Sequence, residues 1–269
     1  MNVRKIVCML FFIIASLCGA YEVHASFNED FEDGASGWSA PDGIWKSGSP
    51  SALPDTCYNG AGCMGTVLDG TYPGYTSSRL ISPEISLESP IGNERIYLKF
   101  MQYISYHHGD AGYIQISVWD QEFKEWTIWS DIGDPVSYWE RVWSQRVVDL
   151  TAYAGQTVRI GFLHTADRRY EDHGWFIDDV RIEVKTPELA GDFESGPGDW
   201  SADNGLWQVG TPSGYPSGCP SGNQCMGTGI DTTYINYGAS RLVSPQMTLD
   251  DISGDKKILL KFMQYISYH

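Results

Sequence analysis

The sequence repeats itself at a fixed offset of 162 residues. Residues 30–107 align without a gap with residues 192–269, and 41 of the 78 aligned positions are identical. The octapeptide FMQYISYH occurs unchanged in both copies, at Phe100–His107 and at Phe262–His269. A duplication at a fixed offset indicates two related folding units in place of one continuous fold.

The two copies differ in length. The first continues for about 80 residues beyond His107, whereas the second has no such continuation in this sequence. We therefore expect a complete unit at residues 26–186, a short linker at 187–191, and the first half of a second unit at 192–269. An unpaired hydrophobic edge is a hazard that natural proteins avoid. The sequence is therefore expected to be a fragment of a longer multi-repeat protein, or to need a partner chain that supplies the missing strands.

The first 25 residues predict a secretory signal peptide. Arg4 and Lys5 precede an apolar stretch at residues 6–17, and small residues follow. Cleavage is predicted after Ala25, with Ala20 as the alternative. No other apolar run reaches the length of a membrane-spanning helix. We therefore expect a secreted or cell-surface protein with no membrane insertion after removal of the signal.

Four cysteines remain once the signal peptide is removed. Each copy holds one Cys-x5-Cys pair, Cys57 with Cys63 and Cys219 with Cys225, and the two pairs align at the repeat offset. An even number of cysteines in an oxidising compartment predicts two disulfides, each inside its own copy. A zinc site is the weaker alternative, because tetrahedral sites use shorter spacings and no histidine lies nearby.

Charge and composition narrow the class of protein. The formal net charge of −16 at pH 7 excludes nucleic acid as an expected partner, because a polyanion would be repelled. The 10 Trp, 16 Tyr and 29 Gly favour short strands joined by tight turns. Alternating apolar and polar residues predict half-buried antiparallel strands, and hence an all-β sandwich. The predicted strands are Arg79–Leu87, Arg95–Ser105, Tyr113–Trp119, Trp126–Ser130, Arg141–Asp149, Thr157–Leu163 and Trp175–Val184, with a short helical turn at Asp149–Gly155.

An ordered series of motifs runs through the first copy. The series consists of FEDG at 31–34, GW at 37–38, Trp45, Gly48, SP at 82–83, Trp143, DLTAYAGQ at 149–156 and GWFIDDV at 174–180. It resembles the MAM-like jelly-roll superfamily, and within it the choice-of-anchor J and cleaved-adhesin domains of secreted bacterial proteins. The resemblance implies a jelly-roll β-sandwich that takes part in binding or adhesion. It also implies a frequent position beside peptidase domains or surface anchors.

The resemblance further implies a structural Ca²⁺ where the opening and closing motifs meet. The candidate ligands are Glu32, Asp33, Asp178 and Asp179. Ca²⁺ takes six to eight oxygen ligands, which a secreted acidic chain can supply. Solvated carboxylates or a backbone cap are the alternative. In the second copy Glu194 is kept but Ser195 replaces Asp33, so that copy is expected to lack a complete site.

Catalysis is not indicated. The sequence has no HExxH, GxSxG or GxxxxGK[ST] motif. Asp178 and Asp179 are adjacent, so on a strand they point to opposite faces and cannot form a glycosidase pair. A second polar set could line one loop end and bind a transition metal, although hydrogen-bonded loop residues are the favoured interpretation. This set consists of His107, His108, Asp110, His164, Asp167, Asp172 and His173.

The tryptophans divide into two groups. Trp38, Trp45 and Trp175 lie in the motifs and are predicted to pack in the core. A denser group supplies candidate platforms for stacking on sugar rings or for anchoring a protein ligand, although core packing is the favoured fate of each. The members of this group are Trp126, Trp129, Trp139 and Trp143.

The sequence favours a secreted or cell-surface, non-catalytic module that binds a glycan or a protein and is stabilised by Ca²⁺. Tandem copies would raise avidity, because the second contact becomes intramolecular. One alternative is that the units are accessory domains of a larger secreted peptidase. The other is that they are structural spacers in a surface protein.

Overall fold

The structure is a computed structural model that describes residues 24–137, 139–189, 191–231, 233–234, 238–249 and 251–267. Residues 1–23, which hold most of the predicted signal peptide, lie outside the described residues. The described ranges contain sixteen strands and one 3-10 helix, and no helix in them is long and apolar enough to cross a bilayer. The elements are β1 His24–Glu29, β2 Lys46–Gly48, β3 Cys63–Gly65, β4 Ser77–Ile81, β5 Ile85–Ser86, β6 Arg95–Ser105, β7 Ala111–Asp120, β8 Glu125–Trp126, β9 Ser130–Asp131, β10 Ser144–Asp149, the 3-10 helix Thr151–Tyr153, β11 Thr157–Thr165, β12 Gly174–Lys185, β13 Ser201–Ala202, β14 Gln208–Gly210, β15 Cys225–Gly227 and β16 Leu242–Val243.

Two antiparallel sheets form a jelly-roll β-sandwich from β1 to β12, which is the fold class predicted from the sequence. In sheet A the order is β10-β6-β12-β3-β2, and β1 also pairs with β12. In sheet B the order is β4-β11-β7-β8, with β5 beside β11 and β9 beside β7. The longest pairing joins β6 to β12, from Ser105 opposite Gly174 to Arg95 opposite Lys185.

The core lies between the two sheets and follows the alternation of side chains along each strand. On β11, Ile160 and Phe162 are at most 1% exposed and face inward. Trp175 of β12 is fully buried, and its ring contacts Trp45 and Phe100. The predicted core positions of Trp45 and Trp175 are therefore confirmed, whereas Trp38 is half-buried and packs against the same cluster.

The long strands were predicted more accurately than the short ones. The prediction of β6 is correct at both ends, and β7, β11, β12 and the 3-10 turn lie within two residues of their predicted bounds. The single strand predicted at Arg79–Leu87 is wrong, because Pro83 has no N–H to donate and separates β4 from β5. The strand predicted at Trp126–Ser130 is two short strands, β8 and β9. The strand predicted at Arg141–Asp149 begins only at Ser144.

The second copy reproduces the opening elements of the first. The pairing of β14 with β15 has the same register as that of β2 with β3, with Gly210 opposite Cys225 as Gly48 is opposite Cys63. β13 pairs with β16 where the first copy has an isolated bridge between Ser39 and Ile81. Residues 244–249 and 251–267 contain no strand. The predicted bounds of the units and of the linker stay predictions.

Candidate functional site

The outer side of sheet B carries a row of tryptophan and arginine side chains. Because side chains alternate along a strand, Arg159 of β11 and Arg79 of β4 project away from the core. Trp126 of β8 and Trp129, between β8 and β9, lie on the same side, and all four are half-buried. We call these four residues, together with Trp119 of β7, the Trp–Arg face.

The side chains of the Trp–Arg face are stacked. The Arg159 guanidinium carbon lies 3.9 Å from the ring centroid of Trp126 and 5.7 Å from that of Trp129. The Arg79 guanidinium carbon lies 4.9 Å from the ring centroid of Trp129. Trp119 meets Trp126 edge to face, with centroids 5.4 Å apart. A guanidinium over an indole contributes roughly 0.5–1 kcal/mol at exposed sites, so the stacking holds these rings in place.

Hydrogen bonds orient the polar groups of the face. Arg79 Nε donates to Gln115 Oε1 at 2.7 Å, and Gln115 Nε2 donates to Asp131 Oδ1 at 2.7 Å. Burial lowers the pKa of both Arg79 and Arg159 from the usual arginine value, and both stay charged because that value is so high. Arg159 Nε is buried and has no hydrogen-bond partner among the described residues. The face therefore offers planar hydrogen-bonding groups in fixed orientations beside aromatic rings.

The backbone leaves space for the face at Gly161 of β11. A Cβ atom at this position would lie 2.9 Å from the Trp129 ring and 2.9 Å from the Arg79 side chain, so a larger residue would displace both. Beside Trp119 the face continues into an open cavity of about 390 Å³. Polar groups in the cavity wall come from Asp120, Glu122 and Gln156.

The structure separates the four tryptophans proposed as platforms. Trp126 and Trp129 lie together on the Trp–Arg face. Trp139 lies at a loop end, with its ring centroid 6.2 Å from that of His107. Trp143 lies on the outer side of sheet A, where its ring is near Tyr58. The contribution of the two arginines was missed, and the signal that could have found them is their outward position in the strand alternation.

The opening FED motif holds the disulfide loop of its own copy. The predicted Cys57–Cys63 bond is present, and both carboxylate oxygens of Glu32 accept hydrogen bonds from the loop backbone. The Glu32 Oε1 distances are 2.9 Å to Ala61 N and 2.8 Å to Gly62 N. Glu32 therefore acts as a backbone cap, which is the role that carboxylates play where N–H groups lack partners.

The second copy repeats this arrangement at the same offset. The predicted Cys219–Cys225 bond is present. Glu194 Oε1 accepts from Asn223 N and from Gln224 N, each at 2.9 Å. A carboxylate-capped disulfide loop is therefore a feature of both copies.

The closing IDD motif lies beside the same loop. Asp178 is fully buried, and its carboxylate accepts from Asn59 N at 3.1 Å and from Asp179 N at 2.8 Å. Burial, together with the charge of Asp179, raises the pKa of Asp178 to about 6. Burial also raises the pKa of Asp179, and the charge of Glu32 acts in the same direction.

The corner is therefore acidic, but the carboxylates of Glu32 and Asp178 accept from backbone donors. The carboxylate of Asp179 accepts from the side chain of Asn59. Glu32, Asp178 and Asp179 come together at the disulfide loop, whereas Asp33 is exposed. Within the described ranges, no three or more His, Cys, Asp or Glu side chains are arranged to hold a metal ion. The geometry does not form a ready Ca²⁺ cage, and Ca²⁺ binding here stays a prediction.

The second predicted polar set lies at a loop end, and most of its side chains are hydrogen-bonded to neighbouring residues. His164 is fully buried and lies 3.0 Å from Tyr106 Oη and 3.1 Å from Thr76 Oγ1. Burial lowers the pKa of His164 to about 4, so its ring is neutral at pH 7. Asp110 accepts from Asp167 N at 2.7 Å, as a loop cap does.

Most of the remaining members of this set have similar contacts, whereas His108 is exposed. Asp172 accepts from Ser105 Oγ at 2.8 Å and from Arg141, and His173 Nδ1 lies 2.9 Å from Gly70 O. His107 lies beside the ring of Tyr170, with centroids 4.8 Å apart. These contacts favour the interpretation of hydrogen-bonded loop residues over a metal site.

Comparison with known proteins gives one sequence relative and a set of distant structural likenesses. No family model matches the chain. Bacillopeptidase F of Bacillus subtilis (strain 168) is 29% identical over 168 residues, which cover 61% of this chain. The chain spans only 11% of the length of that protein.

Two solved structures illustrate the fold likeness. The CBM22-1 xylan-binding domain of Paenibacillus barcinonensis Xyn10C is 14% identical, with a TM-score of 0.41 over 61% of this chain and 97% of that domain. The K3 cleaved adhesin domain of Lys-gingipain from Porphyromonas gingivalis w83 is 19% identical, with a TM-score of 0.37 over 60% of this chain and 99% of that domain. Likenesses this distant assign no ligand to this chain.

Proposed function

We propose that the chain is a secreted or cell-surface, non-catalytic binding module, and that it binds a glycan on the Trp–Arg face. The observation that carries the proposal is the stacked row of Trp126, Arg159 and Trp129 on the outer side of sheet B. Its rings are half-buried, and the guanidinium groups of Arg159 and Arg79 hold them in place.

A sugar ring has the two properties that this face complements. Its C–H groups form an apolar surface that packs on an indole ring. Its hydroxyl groups both donate and accept hydrogen bonds, and the terminal guanidinium nitrogens of half-buried Arg159 and the carboxylate of exposed Asp131 provide partners of both kinds. Groups that are fixed before binding lose little conformational entropy when the ligand arrives.

The electrostatics favour a neutral glycan. The chain as a whole carries a formal charge of −16, which repels polyanionic ligands at long range. The charges of Arg79 and Arg159 are held against aromatic rings, and Arg79 also donates to Gln115. The arginines therefore act in our proposal as ring supports and hydrogen-bond donors.

The test is affinity electrophoresis or isothermal titration of the full chain with a panel of neutral polysaccharides, xylan and galactan among them. We expect Trp126→Ala and Trp129→Ala each to weaken binding at least about tenfold, because stacked aromatic anchors carry most of the affinity of such surfaces. Trp143→Ala is the matched control, since it removes the same side chain from the other sheet. Unchanged affinity in the two face variants, or binding to proteins and to no glycan of the panel, would overturn the proposal.

A second candidate role is that of an accessory domain in a larger secreted peptidase. The similarity to Bacillopeptidase F supports this role, since the matched segment is a small part of that protein. The two roles are compatible, because an accessory domain can bind a glycan for an attached catalytic domain. Mass spectrometry of the native polypeptide tests this candidate, since a peptidase domain in the same chain is required.

A further inference from the structure

The segment that opens the second copy covers a lysine on the outer side of sheet A. Lys99 of β6 is 3% exposed, and its ammonium lies 2.6 Å from Asp199 Oδ1 and 2.8 Å from Glu183 Oε2. Asp199 is 1% exposed and also pairs with Lys185 at 3.1 Å. Charged groups are buried to this extent only when they are paired, so the contact is specific.

Hydrogen bonds extend the contact along β10, which is an edge strand of sheet A. Gln145 Nε2 donates to Gly198 O at 3.0 Å and to Trp200 O at 2.9 Å. The backbone N–H of Val147 donates to Ser201 Oγ at 3.0 Å. The segment therefore satisfies donors on an edge strand that would otherwise need solvent or another chain. We call this part of sheet A, around Lys99 and Gln145, the docking surface.

Asp199 keeps its charge in this buried position. Burial by itself would raise its pKa, but the hydrogen bond from Lys99 and the backbone N–H of Glu188 together hold the pKa below the usual aspartate value. A neutral residue at position 199 would leave the ammonium of Lys99 with Glu183 as its carboxylate partner.

The first copy differs from the second at this position. The residue that aligns with Asp199 is Gly37, which has a φ of 79°. A Cβ atom at Gly37 would lie 3.0 Å from Pro83, so the turn cannot hold an aspartate there without strain. In the second copy the positive φ falls one residue earlier, at Gly198, and position 199 is free to carry a side chain.

The lysine of the contact, by contrast, is present in both copies. Lys99 aligns with Lys261, directly before the octapeptide that the copies share. Each copy thus has the lysine of the docking surface, and the second alone has the aspartate that binds it.

We propose that this part of sheet A is a docking surface for the opening segment of a following module, and that the residue aligned with position 199 determines whether a module docks. An aspartate there docks on the lysine of the preceding module, whereas a glycine does not. The first module, with Gly37, accepts a neighbour and docks on none. The second module docks through Asp199, and its Lys261 would accept a further module that carries an aspartate at the same position.

The test is limited cleavage of the full chain by a glutamate-specific protease after Glu188, an exposed residue outside the strands whose backbone N–H donates to Asp199 in the docked state. Asp199→Gly, which introduces the residue of the first copy, and Asp199→Asn should each accelerate this cleavage at least about tenfold, because cleavage follows the population of the undocked state. Asp255→Asn, an exposed carboxylate of the second copy, is the matched control and should cleave as the unaltered chain does.

Two further measurements keep the result unambiguous. Because the segment docks only on the folded sandwich, undocking should lower the free energy of unfolding of the first sandwich by no more than the change in docking, about 1.4 kcal/mol for a tenfold change. A larger fall would overturn the proposal by making Asp199 part of the sandwich itself. Lys99→Met combined with Asp199→Asn should cleave no faster than the faster single variant, since both changes remove one interaction. Cleavage at the unaltered rate in the Asp199 variants, or rate increases that multiply in the double variant, would likewise overturn it.

Discussion

The same eight residues, FMQYISYH, stand in two environments in this chain. In the first copy Phe100 and Ile104 are fully buried within β6. In the second copy the aligned Phe262 and Ile266 are 69% and 60% exposed, in a stretch without a strand. In the first copy β10 and β12 lie on either side of β6, whereas no strand lies beside Phe262 or Ile266 among the described residues of the second copy. Strand propensity is therefore realised only where neighbouring strands complete the sheet.

The largest expected effect is a loss of stability that occurs in the first environment and not in the second. Phe100→Ala should reduce the free energy of unfolding by about 3–5 kcal/mol, because it opens a cavity beside Phe162 and Trp175. Phe262→Ala should change it by less than about 0.5 kcal/mol, because the side chain is mostly exposed. Urea unfolding followed by tryptophan fluorescence measures both. Equal losses in the two variants would show that the second segment is packed as the first is.

A smaller effect is the dependence of stability on pH. It comes from His164, which contacts Tyr106 near the end of the first octapeptide. An unfolded histidine binds a proton near pH 6.5, whereas in the fold His164 does so at about pH 4. The unfolded state therefore holds more protons in this window, and stability present above pH 6.5 is lost as the pH falls towards 4. The expected loss is about 3 kcal/mol.

His164→Gln is the matched variant for this pH dependence. The buried carboxyls of Asp178 and Glu140 have raised pKa values of about 6 and about 7, and they change stability with the opposite sign. The quantity to compare is therefore the difference between the unaltered chain and the variant in urea midpoints measured from pH 4 to pH 7. Parallel curves for the two proteins would contradict the assignment to His164.

The disulfide loops sharpen the comparison, because here the two copies agree. Glu32→Gln should cost about 1–3 kcal/mol locally, since it leaves backbone N–H groups of the loop without a full acceptor. Glu194→Gln should act with the same sign on Asn223 and Gln224. Amide hydrogen exchange at Ala61, Gly62, Asn223 and Gln224 measures both effects. Faster exchange in one copy alone would show that the carboxylate cap is not shared.

The smallest expected effect is that of Ca²⁺ at the acidic corner. If a cation binds there, a concentration equal to its dissociation constant adds RT ln 2, about 0.4 kcal/mol, which raises the melting temperature by about 1–2 °C. Thermal unfolding in Ca²⁺ and in chelator measures this shift. A double variant, Glu32→Ala with Asp179→Ala, should lose it. Identical melting temperatures in Ca²⁺ and in chelator would contradict the predicted Ca²⁺ site.

Sequence reasoning reached the parts of the structure that depend on local pattern. The alternation of β6, β7 and β12 and the aligned Cys-x5-Cys pairs were sufficient for the sandwich class and for both disulfides. The alternation could have shown that Arg79 and Arg159 point outward, but not that they lie together, because they are far apart in sequence and are brought near each other by the pairing of β4 with β11. The contact of Lys99 with Asp199 was out of reach for the same reason, since charge patterns do not reveal which surfaces meet.

The most direct test of the proposed function observes the tryptophans themselves. Each indole Nε1–H gives a separate signal in a ¹⁵N-labelled sample, and the signals can be assigned with single Trp→Phe variants. On titration with a neutral glycan that the chain binds, we predict shifts at Trp119, Trp126 and Trp129 and none at the core residues Trp45 and Trp175. Shifts confined to Trp139 or Trp143, with the Trp–Arg face unchanged, would contradict the account.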